Sequence, residues 1–388
     1  MAERNRMLMA TTRPVPAPAE LASTPTYTWY GCDLKTGKIV EEIPFEPGGS
    51  LQRILGAYSS LQGAFPVADA AGDWKSATDP GRTMLVCVRD DDEMPLWAGI
   101  VIGRSGGSDE YISLSLVTLE GYYDRRFVKD RVETHRAGQQ IAVDLVFDAD
   151  NVEGIGMTFP TFFNSAPYHD RTYSADSDQT VYSQLTELMG VEDGPEWTID
   201  VIWSDATKTA FTKRFLVDLS IGNNFDTGDK SVNAIFDYPG CIRSYELKED
   251  YSSSKSATHV EIFGDGEGET RPSGTPGRAE ALIAAGWPRY EYRRTISGAT
   301  QASTLTAHAK ELVAWMGSGA QIYTVEANAA TAPKLGADWM LGAYVGVQIA
   351  ESPRHPDGVD ILARAIGWEL DTVNGTVTPL LEEEDADA

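Results

Sequence analysis

The stretch YISLSLVTLEGYY, Tyr111 to Tyr123, alternates apolar and polar residues with a period of two. Successive side chains of a strand point to opposite faces, so the pattern suits a half-buried strand. Similar runs precede it. Thr26 to Phe45 is a hairpin candidate in which Lys35, Thr36 and Gly37 supply the turn, Gly being free to take positive φ. Thr83 to Arg104 is a second, with two apolar runs around an acidic tip from Asp90 to Glu93. Leu51 to Phe65 leans towards strand as well. Residues 25 to 130 therefore read as an antiparallel β-domain with little helix, which fits a chain with 36 Gly and frequent aromatics. The pattern does not distinguish a barrel from a sandwich.

The middle of the chain changes character. In Asp176 to Gly190, Val181, Leu185, Leu188 and Met189 share one helical face. Ser177 or Asp178 is the expected cap and Gly190 the expected stop. Glu196 to Leu219 reads as two strands around a polar turn at Ser204 to Lys208. Thr258 to Phe263 is one strand between Ser-rich and Gly-rich loops. Gly277 to Trp287 is a short helix. Ser303 to Gly317 is a longer one with Leu305, Leu312, Val313 and Met316 as its stripe and Ser303 as its cap. The end returns to β structure in four runs, QIYTVEA, WMLGAYVGVQIAES, DGVDILARAIGWELD and TVTPLLEE, with Asn374 and Gly375 as a type I′ hairpin signal. The fold class is thus α+β, mainly β. No strict period repeats, which excludes a solenoid.

Charge narrows the function. The chain carries 58 acidic against 32 basic residues, a formal charge of −26. Such a surface repels phosphate at long range, so a dedicated DNA binder would need a strong local basic patch. The pair Arg125 and Arg126 is too short to serve as one. Cys32, Cys87 and Cys241 stand far apart without a C-x-x-C pair, which argues against zinc ribbons and disulfide frameworks and for three partly buried thiols in a reducing compartment. The apolar run Met7 to Ala10 is too short for a signal peptide, and no segment approaches the roughly 20 apolar residues of a membrane span. Thr12 to Pro25 reads as an extended Pro/Ala-rich arm.

A search for chemistry returns little. GRSGGSD, Gly103 to Asp109, lacks the spacing of a nucleophile elbow. His135, His169, His259, His308 and His355 form no H-E-x-x-H pattern. His308 falls beside the apolar stripe of the long helix, as a partly buried structural His would, and YHD, Tyr168 to Asp170, places a carboxylate next to His169 without aiming both at one atom. An EF-hand loop starting at Asp148 fails, because Glu153 and Phe159 stand where Gly and Glu are needed. The acidic tip Asp90 to Asp92 and the loop Gly264 to Glu269 read as solvated turns rather than calcium loops. Glu267 and Glu269 disqualify that same loop as a phosphate cradle. No catalytic residue, metal or cofactor is expected, and the residues alone lead to a structural or binding protein.

A resemblance adds to this. DLKTGKIVEEIPF, then DPGRTMLVCVRDDDEMPLWAGIVIGR, then VTLEGYYDRRFVKD and a helix of the form D-x-x-V-x-x-x-L-x-x-L follow one another. That succession resembles the minor tail proteins of phages infecting actinobacteria, of the tail-hub type, over residues 26 to 216; later, GWPRYEYRRT precedes a helix and a closing β-unit. The resemblance implies a homotrimer at the distal tail tip of the virion, assembled after synthesis in the host cytoplasm. Each subunit would carry two small β-barrel tube domains, so that three subunits match a six-fold tail-tube ring to a three-fold tip. The expected neighbours are a distal tail protein, the tail-tube ring, a tape measure protein and further tip or fibre proteins, with DNA passing an acidic channel unbound. The chain closes just after the second barrel, which argues for a hub without its own enzyme.

The implied division is a flexible arm at 1–25 and a first barrel at 26–145, completed by about 205–245. An inserted α+β domain follows at 146–204, a second α+β segment at 246–302, a helix with the second barrel at 303–381, and an acidic tail at 382–388. The alternative is a carbohydrate-binding or wall-degrading tip protein, which would show exposed Trp in a groove or two carboxylates about 5–10 Å apart. LEGYYDRRFVKD, Leu119 to Asp130, then sits at the departure from the first barrel. Tyr122, Tyr123 and Phe127 are its expected apolar anchors, with each Tyr hydroxyl partnered. Asp124 is expected to pair with Arg125 or Arg126, locally or across a subunit boundary.

Overall fold

A computed structural model describes residues 24–160, 167–191, 193–222, 232, 234–253, 255–264, 266, 271–296, 301–317 and 319–383. The expected arm up to residue 23, most of the Gly264 to Glu269 loop and the last residues of the acidic tail lie outside them.

The chain begins with β1 (Tyr27–Asp33), β2 (Ile39–Glu42), β3 (Glu46–Pro47), β4 (Leu51–Ile54), β5 (Ser60–Pro66), a short α1 (Trp74–Ala77), β6 (Thr83–Arg89), β7 (Met94–Ser105) and β8 (Tyr111–Thr118). All but β4 and α1 form one seven-stranded sheet in the order β2-β1-β6-β7-β8-β5-β3. Both expected hairpins are present, β1 with β2 and β6 with β7. The alternating run stops being a strand at Thr118; Leu119–Arg125 is a 3₁₀ turn.

β6 shows why this sheet is more apolar than the alternation of β8 suggests. All seven of its residues are buried. Leu85 and Cys87 face one core cluster, while Met84, Val86 and Val88 face another. A strand covered on both faces reads as a continuous apolar run.

The second cluster is filled by the inserted unit: β9 (Arg131–Ala137), α2 (Gly138–Asp150), β10 (Met157–Thr158), β11 (Tyr168–Tyr173), α3 (Val181–Met189), β12 (Glu196–Trp203) and β13 (Phe211–Asp218). α2 runs straight across the 145/146 position expected as a boundary. α3 is capped by Thr180, whose Oγ1 accepts the Ser183 N–H at 3.1 Å. Neither Ser177 nor Asp178 does this, and Asp178 sits at φ 52°. The segment expected to complete the first barrel divides instead: β13 pairs with β12 and β10.

The remaining elements are β14 (Ala234–Tyr238), β15 (Ile242–Asp250), β16 (His259–Phe263), β17 (Gly277–Arg278), α4 (Glu280–Ala284), β18 (Glu291–Thr295), α5 (Ala302–Gly317), β19 (Ala320–Asn328), β20 (Tyr344–Ile349), β21 (Val359–Asp371) and β22 (Thr376–Glu383). A second large sheet runs β14-β20-β21-β22-β19-β15. Its seventh strand is β4, which leaves the first half of the chain to pair Leu51 with Leu370 and Arg53 with Trp368. One continuous core cluster therefore spans both large sheets. Neither ladder closes on itself among the described residues.

A small sheet, β17-β16-β18, packs on α5 through Val260, Ile262, Leu305, Ala309 and Val313. α5 thus belongs with this unit rather than with the closing sheet. It begins at Ala302, so Ser303 lies inside its first turn. The β21–β22 turn is not type I′, because Gly375 has φ 63° while Asn374 is not left-handed. Asp371 holds the turn instead, accepting the Val373 and Asn374 N–H groups at 2.9 and 2.7 Å.

Candidate functional site

The turn after β8 is where the first sheet, the second sheet and the inserted unit meet. Its first residues look inward. Glu120 is 3% exposed, accepts the Ile199 N–H at 3.0 Å and the Thr198 hydroxyl at 3.3 Å, both on β12, and lies 3.9 Å from Arg53 on β4. Arg53 in turn donates to the Thr198 hydroxyl at 3.0 Å and the Ile199 carbonyl at 2.5 Å. Its other nitrogen faces Asp200 at 3.7 Å, and Asp200 also pairs with Arg214 on β13. A charge this buried needs several partners at once, and here three modules supply them.

The residues expected to matter most in this stretch divide in role. Tyr123 is fully buried, meets Tyr122 edge-on at 5.3 Å, and makes no hydrogen bond through its hydroxyl among the described residues. Burial holds that phenol well above its usual range. Tyr122 is the partnered one, its hydroxyl accepting Arg126 Nη1 at 2.7 Å. Arg126 also reaches the Val152 carbonyl at 3.0 Å. Asp124 pairs with neither Arg125 nor Arg126. It accepts the Thr180 hydroxyl at 3.1 Å and the Tyr58 hydroxyl at 3.4 Å, and so fastens the start of α3. Arg125 is exposed. Phe127 is no anchor either: it is 59% exposed, because its backbone bridges Thr180 and turns the ring outward.

Two further joints escaped sequence reasoning. Arg364 on β21, 8% exposed, makes a forked pair with Glu196 on β12, at 2.6 and 2.5 Å. The same guanidinium donates to the Gly342 and Ile221 carbonyls. Arg89 at the end of β6 holds Asp92 at 2.5 Å and the Leu335 carbonyl at 2.8 Å, and Lys334 approaches Asp91 and Asp92 from the second half of the chain. The Asp90 to Asp92 tip is thus a cation-filled clasp between the two halves. Burial raises the Asp92 carboxyl, but hydrogen bonds from Arg89 and Lys334 outweigh it and hold the group well below the usual carboxylate range. Arg364 carries no local signal, its partners lying far away in sequence; Arg89 pairs locally with Asp92, and its bond to the Leu335 carbonyl is what reaches the second half.

Other candidates fall into place. His308 is exposed rather than partly buried. Asp170 accepts the His135 backbone N–H at 2.6 Å, not a proton from His169. Asp148 lies on α2 and pairs with Arg131 at 2.6 Å. The three cysteines are free and buried. Among the described residues, no group of three His, Cys, Asp or Glu converges on a metal position, and no helix is long and apolar enough to cross a membrane.

Set beside solved structures, this arrangement is familiar. The tail protein from Neisseria meningitidis MC58 superposes with a TM-score of 0.55 at 15% identity, covering 92% of this chain and 97% of that one. This chain shares its fold with that tail protein. The 43 kDa tail protein of prophage MuSo2 from Shewanella oneidensis gives 0.54 at 12% identity, over 88% and 98% of the two chains. The prophage tail protein gp18 from Listeria monocytogenes EGD-e gives 0.50 at 9% identity, over 93% and 95%. At such identities the likeness is one of fold. No family model matches the sequence, and no curated protein does.

Proposed function

We propose that this chain is a structural tail protein that assembles as a trimeric hub at the distal end of a phage tail, adapting a six-fold tube to a three-fold tip. The observation that carries this reading is the tail-protein fold, shared along nearly the whole length of both chains. Two seven-stranded sheets in one subunit are the geometry it needs, because three subunits then present six sheet units in a ring. The shared core and the three charged joints would hold the two sheets at a fixed angle, as a ring component requires.

The solvent side of the second sheet exposes Asp237, Glu246, Glu326 and Asp360. Turned towards a channel, these carboxylates would repel passing DNA rather than bind it. A distal tail protein, the tube ring, a tape measure protein and tip fibres would be the neighbours. The rival sugar-binding reading calls for several exposed Trp in a groove, whereas Trp315 is the exposed one among the chain's nine. Imaging assembled tails tests the proposal. Three-fold density for this chain at the distal end, with a particle mass three times 42.2 kDa for the isolated hub, is the expected result. Density for one copy only, or a position on the tail shaft, would sink it.

A further inference from the structure

The small α+β unit carries a surface that the hub role does not use. Its sheet ends at β18, and the outer edge of β18 has no hydrogen-bonded neighbour among the described residues. Arg289 and Arg293 stand beside that edge, both mostly exposed, and Arg294 is exposed too. Arg271 closes the far end, lying over the Phe263 ring and donating to the Thr295 hydroxyl. Two carboxylates, Glu261 and Glu291, are shared among Arg289 and Arg293. Among the described residues, four guanidiniums against two carboxylates leave a positive strip on a chain whose formal charge is −26. Arg294 forms no hydrogen bond or ion pair with any described residue.

Charge on an edge strand can serve only to keep other strands away. Repulsion of copies of this acidic chain, however, would call for carboxylates at the edge, whereas arginines attract them. The strand's geometry makes the recognition specific. Arg293 and Arg294 are consecutive, so they lie on opposite faces of β18. An extended chain added to this edge would point its own successive side chains to those two faces. It would therefore need acids at consecutive positions rather than at every second one.

We infer that this edge takes up an acidic extended segment as a fourth strand, and that its occupant is the run that follows β22, Glu384 to Ala388, of a neighbouring copy. That run, EDADA, opens with two consecutive acids, and β22 delivers the chain to it already extended at Glu383. Occupation by a neighbour rests on the proposed assembly; the chemistry of the edge does not.

A fluorescent peptide of residues 384–388, titrated with the full-length chain at low salt and read by anisotropy, tests the edge itself. Saturable binding that weakens with added salt is expected. Arg294→Glu should weaken it by about tenfold or more, the scale of one lost charge-assisted contact turned repulsive. The substitution should leave thermal unfolding unchanged, since the Arg294 side chain pairs with none of the described residues. A peptide of the same composition with its acids at alternate positions should bind more weakly. The inference fails if no saturable binding appears up to about 1 mM, if Arg294→Glu binds as tightly as the parent, or if the rearranged peptide binds equally well. A monomeric chain that still binds the peptide would refute the hub alone; a trimer indifferent to it would refute the edge alone.

Discussion

Glu120→Ala should lower the unfolding free energy by about 2–3 kcal/mol, a magnitude that follows from what the carboxylate holds. The Ile199 N–H, 3.0 Å from it, would be left buried without an acceptor, at a cost of about 1–3 kcal/mol. Arg53 would lose a carboxylate at 3.9 Å but keep Asp200 at 3.7 Å, the Thr198 hydroxyl and the Ile199 carbonyl. The full ~3–5 kcal/mol of a broken buried pair therefore does not apply. Glu120→Gln keeps an acceptor for the Ile199 N–H and gives up only the charge, so about 1 kcal/mol is expected. Urea unfolding followed by tryptophan fluorescence reads both, since Trp197 is buried in the same strand. Parent-like stability within about 0.5 kcal/mol for the Ala variant would refute the reasoning. So would a Gln variant as damaged as the Ala variant, because the carboxylate's acceptor role would then count for nothing.

Three more outcomes follow from the same turn and its surroundings. Arg126→Ala removes the bonds to the Tyr122 hydroxyl and the Val152 carbonyl; both ends are partly solvated, so about 1 kcal/mol is expected, measured by the same urea transition. Tyr123→Phe discards a buried hydroxyl that has no partner among the described residues, and should be neutral or stabilising by up to about 1 kcal/mol; a loss above that would show that the hydroxyl is bonded. Lys213, 1% exposed, has its pKa lowered by burial to about 8 from an ordinary 10.5. Between those two values the unfolded chain binds the proton more readily than the folded one, so this residue makes stability rise with pH from about 8 to 10.5. Lys213→Met should erase that slope and add about 2–3 kcal/mol at neutral pH. Identical slopes for the two proteins from pH 8 to 10 would overturn this.

What the sequence revealed of this fold was what depends on near neighbours. Both early hairpins, α3, the β12–β13 pair and the four closing strands announce themselves by period and turn residues within one window. α2 was missed because eight of its thirteen residues are buried, so no single polar face marks its period, and it starts after Ala137 with no side-chain cap. The exchange of β4 into the second sheet is invisible locally: LQRI is as good an edge for one sheet as for the other, and only the shared core decides. Glu120 is one acid among 58, and nothing beside it announces that its partners lie on β4 and β12. In LEGYYDRRFVKD the arginines are conspicuous, while the residue that joins three modules is the quiet one three positions before Tyr123.

The Arg364–Glu196 joint shows why these pairs are hard to replace. A buried ion pair can often be exchanged for apolar residues of similar volume at no loss. Here the pair also serves the backbone. Glu196 accepts the Ile221 N–H at 2.8 Å, and Arg364 donates to the Ile221 and Gly342 carbonyls at 3.0 and 3.2 Å. Three main-chain groups, two at Ile221 in the link after β13 and one at Gly342 before β20, thus depend on the two side chains. Replacing both by Met relieves the cost of burying charge but strands all three groups, each worth about 1 kcal/mol or more when left unmet. The double variant should therefore stay about 2–4 kcal/mol below the parent and recover little relative to Arg364→Met alone. Hydrogen exchange should show the loss at Ile221, whose amide would lose its acceptor. If the double variant regained parental stability, the joint would be an ordinary ion pair, and the backbone around Ile221 would have to find its partners elsewhere.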